Sequence, residues 1–335
     1  MPLFPRLPPS DPVPLLNSAS PWASTEADLE ALWGCASTQA VTTRTSTLRG
    51  YPDDPSKHQV AFFGSASSLN SFGFSPYPLS QYLAWLRRVV GTDARKKQII
   101  VSIGPADATE LAEMLAVLAA FAHELGVTLG VEYNASCPNL NGSPPPAYLP
   151  SLLESYLVVF SRFASEELRI GIKLPPYTYE DQISAVVRTI ETVSAETTST
   201  EVVSFLTSTN TLGQGLVFAS QIVDPPRGAR DLVAQTRAKP ASEVFAVPTG
   251  YGGLAGEAIH QISLGNVHRL RTLLDGSTDK RVRAITVIGV GGCGDAQAVE
   301  RFRRAGADAV GVATALGREG VDVFAQMRRN ETAAT

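Results

Sequence analysis

The sequence predicts an α/β chain closed into a (β/α)8 barrel. Apolar runs of strand length alternate with helical patterns for about eight repeats, the rhythm of such a barrel. No Gly/Pro-rich linker interrupts the 335 residues, so the chain reads as one domain. The most polar strand end, Asn134-Ala135-Ser136-Cys137-Pro138-Asn139, follows a β-type run from Thr128 to Tyr133 and is stopped by proline. In a barrel of this kind the C-terminal mouth of the strands carries the chemistry.

Taken in order, residues 1–12 read as a short extended arm and Val13 to Ser18 as the first strand. Thr25 to Cys35 follows as a helix, with Thr25 and Asp28 at capping-box spacing. Ala40 to Thr45 is a second strand. A long excursion then holds Gln59 to Phe63 and a loop from Ser68 to Phe74, before a helix from Leu79 to Val90. Gln98 to Ile103 is the third strand. Asp107 and Glu110 open the next helix, whose Leu111, Leu115, Leu118 and Ala122 keep one apolar face. After the strand that ends near Cys137 come a helix from Tyr148 to Phe163, a strand from Arg169 to Leu174 stopped by Pro175-Pro176, and a helix from Glu180 to Val193. Val202 to Thr209 is the sixth strand. Residues 211–248, with mixed polar, Pro and Arg content, read as an excursion above the barrel mouth. Leu254-Ala255-Gly256 leads into a helix to Leu274, Arg283 to Gly289 is the seventh strand and Ala296 to Ala305 its helix. Ala309 to Val312 is the eighth strand and Val321 to Arg328 the last helix.

Composition narrows the function classes. Hydrophobic residues make up 44% and charged residues 18%, enough for a large core. The net charge is −4 and Lys and Arg are scattered, which argues against a nucleic-acid partner. No apolar run reaches membrane-spanning length, and the N-terminus lacks a signal-peptide core. Cys35, Cys137 and Cys293 are odd in number and far apart, unsuited to a disulfide framework, a zinc knuckle or an iron–sulfur cluster, and no residue is assigned to a metal. A reducing, cytoplasmic setting is the simplest fit.

Three late Gly-rich turns, Gly252-Gly253-Leu254-Ala255-Gly256, Gly289-Val290-Gly291-Gly292 and Gly311-Val312-Ala313-Thr314, each precede a helix. Ordinary turns use glycine too, but two of these follow strands seven and eight, where barrels commonly hold phosphate. Lys173 interrupts the apolar strand Gly171 to Leu174. It points outward with a snorkelling stem, or inward, where it needs an anion. Asn70, Asn134, Asn139 and Asn210, with Ser71 and Thr211, come from separate strand ends and loops. Amides donate and accept, so together they suit a small ring with alternating C=O and N–H groups, although any single Asn is more often a turn residue. A lone cysteine is most often a small buried hydrophobe.

Asn134-Ala135-Ser136-Cys137-Pro138-Asn139, Lys173-Leu174-Pro175-Pro176-Tyr177, Asn210-Thr211-Leu212-Gly213-Gln214-Gly215-Leu216 and the glycine turns resemble the class 1 dihydroorotate dehydrogenases. Thr45-Ser46-Thr47-Leu48 and Asn70-Ser71-Phe72-Gly73 match in the same order, so the resemblance runs from about Pro14 to about Phe324. Cysteine at the base position makes the chain look like the soluble class 1A branch. The resemblance implies a TIM barrel, FMN as cofactor, a homodimer, and oxidation of dihydroorotate to orotate in pyrimidine biosynthesis with fumarate as acceptor. It implies Cys137 as the base, a role that needs a partly ionised thiol, with the amides and a nearby cation as the means. Asn70, Asn134, Asn139, Asn210 and Thr211 would hold the ring and its carboxylate, aided by Phe72, Gly73, Phe74 and Arg44. It further implies Lys173, Arg44, Thr45 and Asn134 beside the flavin, Ala19 and Ser20 at the ring's other edge, and Gly253, Gly256, Gly291, Gly292, Ala313 and Thr314 around the phosphate.

The chain departs from the family pattern in places. Arg44 stands where the family usually has lysine, an exchange that is not conservative, because a guanidinium is forked and permanently charged. The family's Asn-Ala-Ser-Gly turn is Asn17-Ser18-Ala19-Ser20, and two of the phosphate turns are Val290-Gly291-Gly292 and Val312-Ala313-Thr314. Two further readings stay open: a flavin oxidoreductase acting on another cyclic amide, and a barrel that binds a phosphorylated ligand without redox chemistry.

Overall fold

The computed structural model describes residues 3–6, 8, 11–91, 97–137, 139, 144–197, 201–223 and 244–331. Pro138, part of the N-terminal arm and residues 224–243 of the long excursion lie outside them. In chain order the strands are β1 (Leu15–Asn17), β2 (Ala40–Thr42), β3 (Val60–Phe63), β4 (Ser67–Asn70), β5 (Gln98–Ile103), β6 (Leu129–Asn134), β7 (Leu168–Leu174), β8 (Phe205–Ser208), β9 (Leu212–Gly215), β10 (Gly252–Gly256), β11 (Thr286–Val290) and β12 (Ala309–Val312). The helices are α1 (Glu26–Gly34), α2 (Leu79–Val90), α3 (Ala108–Leu125), α4 (Pro150–Phe163), α5 (Glu180–Glu196), α6 (His260–Gly276), α7 (Lys280–Arg283), α8 (Ala296–Ala305), α9 (Thr314–Glu319) and α10 (Asp322–Glu331).

Eight parallel strands close in the order β1-β12-β11-β8-β7-β6-β5-β2, with Leu16 opposite Ala40 completing the ring. The chain is therefore a (β/α)8 barrel. The expected capping box at α1 is formed: Thr25 Oγ1 accepts from the Asp28 N–H, and the Asp28 carboxylate accepts from the Thr25 N–H. Asp107 caps α3 by accepting from the N–H groups of Thr109 and Glu110, while Glu110 reaches the Ala106 N–H.

Three local expectations are corrected. Ser67–Asn70, read as loop from Ser68 on, is strand β4, and the glycine run Gly252–Gly256, read as a turn, is strand β10. Both belong to a separate antiparallel sheet, β3-β4-β10-β9, whose ladder supplies the backbone partners that these serines and glycines do not advertise. Glycine is required for that approach, since a Cβ on Gly252 would stand 2.3 Å from the Asn70 carbonyl oxygen. The seventh barrel strand also starts later than Arg283, because Asp279 caps a short helix, α7, that takes Arg283.

Strand alternation sorts the side chains into two layers. On β6 and β7, Val131, Tyr133, Ile170, Ile172 and Leu174 face the helices; Tyr133 stacks on Tyr156 of α4 with centroids 4.8 Å apart. Gly130, Glu132, Asn134, Gly171 and Lys173 occupy the other face, toward the barrel axis. Near the N-terminal ends of the strands the interior is filled by Leu16, Ala40, Ile100, Phe205, Ile288 and Ala309. The extended arm completes this layer: Leu3 and Phe4 are buried in it, and Arg6 ties the arm down through Asp275, 2.6 Å away.

Because Phe4 plugs the barrel from below, Phe4→Ala should lower unfolding stability by about 3–5 kcal/mol, the range for a truncated core phenylalanine. Urea denaturation measures it. A loss below the range of ordinary surface substitutions would show that the plug is not part of the core.

Candidate active site

At the opposite, C-terminal end the strand ends and the antiparallel sheet enclose one cavity. It encloses about 1110 Å³ including its open mouth. Ala19, Ser20, Arg44, Thr45, Asn70, Phe72, Gly73, Phe74, Asn134, Cys137, Asn139, Lys173, Asn210, Thr211, Gly256, Gly291, Gly292, Ala313 and Thr314 all line it. Gly253 does not. It lies in β10 opposite Asn70, where its carbonyl accepts from Asn70 Nδ2 at 3.4 Å, and a Cβ there would meet Thr211 Oγ1 at 2.2 Å.

The floor is a hydrogen-bonded series that begins at a buried carboxylate. Glu132 accepts from Ser102 Oγ at 3.1 Å and from Thr207 Oγ1 at 2.7 Å. Since the Ser102 proton goes to Glu132, Thr45 Oγ1 donates to Ser102, 2.9 Å away, and itself accepts from Asn134 Nδ2 at 3.0 Å. Asn134 Oδ1 in turn accepts from Ser136 Oγ and from Asn210 Nδ2, each at 3.1 Å. Asn139 Nδ2 donates to the Phe72 carbonyl at 2.8 Å, fastening the 72–74 loop to the segment after β6. Four asparagines from separate segments are thereby locked around one opening.

Two cations share this space. Lys173 faces inward, resolving the two orientations left open by its strand. Its Nζ donates to Ser18 Oγ at 3.0 Å and to the Ala19 carbonyl at 3.2 Å. Burial pushes its pKa down, and Glu132 and the Cys137 sulfur pull it back up. Arg44 spans the cavity edge, donating from Nη1 to Ser24 Oγ at 3.2 Å and from Nη2 to the carbonyls of Gly73 and Phe74. Its guanidinium lies 5.2 Å over the Phe72 ring. Among the described residues lining the cavity there is no Asp or Glu.

Cys137 lies at the rim, partly exposed as a residue, while the surrounding walls strip water from its sulfur. Burial raises its pKa, and this outweighs the Asn139 N–H, Lys173 and Arg44, which pull it down. Desolvation therefore outweighs the amide and the two cations at this sulfur. Cys293 is buried and also reaches the cavity wall.

Trp22, Ser68 and Ile259 line the cavity without having been singled out by sequence. Trp22 follows the Ser20-Pro21 turn directly, a proximity that marks it in retrospect. It sits so tightly on α9 that a Cβ on Gly317 would overlap its indole. Ser68 Oγ pairs with Thr314 Oγ1 at 3.1 Å, joining the antiparallel sheet to the start of α9.

The family description "Dihydroorotate dehydrogenase" matches residues 13–332. The chain belongs to the dihydroorotate dehydrogenase family. It is 29% identical over 314 residues to the dihydroorotate dehydrogenase (fumarate) of Trypanosoma cruzi, covering 94% of this chain and 87% of that one. It is 28% identical over 320 residues to the enzyme of the same name from Trypanosoma brucei brucei, with 94% and 88% covered. A putative dihydroorotate dehydrogenase A (fumarate) of Streptococcus pyogenes is 27% identical over 322 residues, with 94% and 87% covered. Among the described residues, no helix is long and apolar enough to cross a membrane.

The raised thiol pKa gives a direct expectation. With the cavity empty, alkylation of Cys137 by iodoacetamide should be slow at neutral pH. It should climb with pH and level off only above the ordinary thiol value of about 8.5. Mass spectrometry of the Cys137 peptide follows it. Full reactivity already at pH 7 would contradict the dominance of burial.

Proposed function

We propose that this family member oxidises dihydroorotate to orotate in pyrimidine biosynthesis, with FMN as cofactor, Cys137 as general base and fumarate as electron acceptor. One observation carries the reading: Arg44, Lys173, the four asparagines and the Cys137 thiol converge on one cavity whose described wall has no carboxylate. Such a wall favours anions, and the reduced flavin, its phosphate, orotate and fumarate are all anionic. The fumarate-type names of the relatives support the acceptor.

The residues present fit FMN. Ser20 Oγ is buried in the wall with no hydrogen-bond partner, a polar atom awaiting a ligand. Gly291 and Gly292 hold positive φ values of 131° and 74°, which brings bare backbone to the cavity at the end of β11. In this reading Ala19, Ser20, Arg44, Thr45, Asn134 and Lys173 hold the flavin ring, with Gly256, Gly291, Gly292, Ala313 and Thr314 around its phosphate, and Gly253 contributes by seating Asn70. Bound FMN supplies the hydride acceptor.

The chain's own residues handle the rest. Asn70, Asn134, Asn139, Asn210 and Thr211 orient the pyrimidine, with Phe72, Gly73 and Phe74 beside it. Cys137 Sγ would take the proton from the carbon next to the ring carbonyl. Lys173, held at the flavin ring, would offset negative charge there. Fumarate would occupy the same cavity as the terminal acceptor of two electrons and two protons. A homodimer and a cytoplasmic setting complete the proposal. Exposed Leu216, Phe218, Phe245 and Tyr251 offer an apolar face to a second copy, and three free cysteines suit a reducing compartment. Arg44 favours one alternative, another cyclic amide as substrate, because its fork braces the 72–74 loop where the family has a lysine.

Anaerobic mixing with dihydroorotate should bleach the flavin colour of the purified protein, and fumarate should restore it. Cys137→Ala should bind FMN and orotate normally but reduce the flavin about 10²–10⁴-fold more slowly, the usual worth of a placed base. A flavin that stays oxidised would turn the reading to another cyclic amide, and unchanged reduction in the variant would remove Cys137 from the mechanism.

A further inference from the structure

Behind the Gly291–Gly292 turn stands a pair of side chains outside the cavity wall. His260, the first residue of α6, is buried, and its Nδ1 lies 2.8 Å from the Gly291 carbonyl oxygen. A carbonyl can only accept, so Nδ1 carries the proton. Arg301 of α8 donates from Nε to His260 Nε2 at 2.9 Å. A guanidinium can only donate, so Nε2 is the acceptor and both ring nitrogens agree on one tautomer. The imidazole also stands edge-on to Phe302, with centroids 5.3 Å apart.

The Gly291–Gly292 peptide is trans, so its carbonyl and the Gly292 N–H point in opposite directions. Holding the carbonyl back on His260 therefore turns the Gly292 N–H to the side where the turn meets the cavity. We infer that His260, its tautomer set by Arg301, is a positioning residue that aims the Gly292 N–H at a phosphoryl group bound in the cavity. This rests on the flavin phosphate occupying that end of the site, as proposed above. Neither side chain touches the ligand. Both act through one peptide plane.

Comparing FMN with riboflavin, which lacks the phosphate, separates positioning from general support of the fold. The full-length protein, stripped of flavin, is titrated with each while flavin fluorescence is followed. The wild type should bind FMN well ahead of riboflavin. His260→Phe keeps a ring against Phe302 but loses the donor, and should weaken FMN about tenfold with riboflavin unchanged, the cost of one misdirected hydrogen bond. His260→Asn, whose side-chain N–H sits close to the Nδ1 position, should recover most of that loss. Arg301→Met leaves the tautomer free and should weaken FMN about threefold, again sparing riboflavin. Because Arg301 is exposed, this variant keeps the test open if His260→Phe does not fold. Equal losses for FMN and riboflavin, or no loss of FMN, would overturn the role of His260 alone. A wild type indifferent to the phosphate would overturn the reading of the turn itself, and this inference with it.

Discussion

Two buried cations in a cavity without an acidic wall set the terms for the rest of the molecule. Arg44 and Lys173 are both largely buried, and burying a charge is costly unless it is paired or hydrogen-bonded. Here the partners are neutral: hydroxyls and carbonyls at the ends of β1 and in the segments around it. Glu132, one step down β6 from Asn134, lies near enough to favour protonated Lys173, but it is occupied by the Ser102 and Thr207 hydroxyls. The positive field is left facing the cavity.

The barrel supplies the rigidity that such a site needs. Register places Asn134 beside Lys173 and Lys173 beside Thr207, so neighbouring strands deliver amide, ammonium and hydroxyl to one level of the interior. The antiparallel sheet brings Asn70 and Gly256 over the same opening from a different part of the chain. The N-terminal arm fills the far end, so the interior is a packed core below and an open cavity above.

Much of this was legible in the sequence, for identifiable reasons. Strands such as Gln98–Ile103 and Leu168–Leu174 are apolar runs ended by polar residues or proline, and helices such as Leu79–Val90 repeat with the helical period. The antiparallel sheet was hidden because Ser67–Asn70 and Gly252–Gly256 have poor strand propensity and exist only through mutual pairing. Helix α9 spans six residues, too few to display a period. Phe4 sits in a proline-rich arm whose burial no local pattern announces. In the site, residue types with strong chemical identity stood out, namely Cys137, Lys173 and the asparagines. Trp22 and His260 did not, since their places depend on tertiary neighbours. The thiol's direction of shift was also beyond the sequence: charge and amides were visible, desolvation was not.

The central claim is that one cavity holds a flavin and a ring-shaped anion together, with the Cys137 sulfur over the smaller ring. A crystal structure of the protein with FMN and orotate tests this most directly. The account expects the flavin ring against Lys173, its phosphate at Gly291 and Gly292, and orotate between the flavin and Cys137 within reach of the four asparagines. Orotate bound elsewhere, or Cys137 turned away from it into aliphatic packing, would contradict the account.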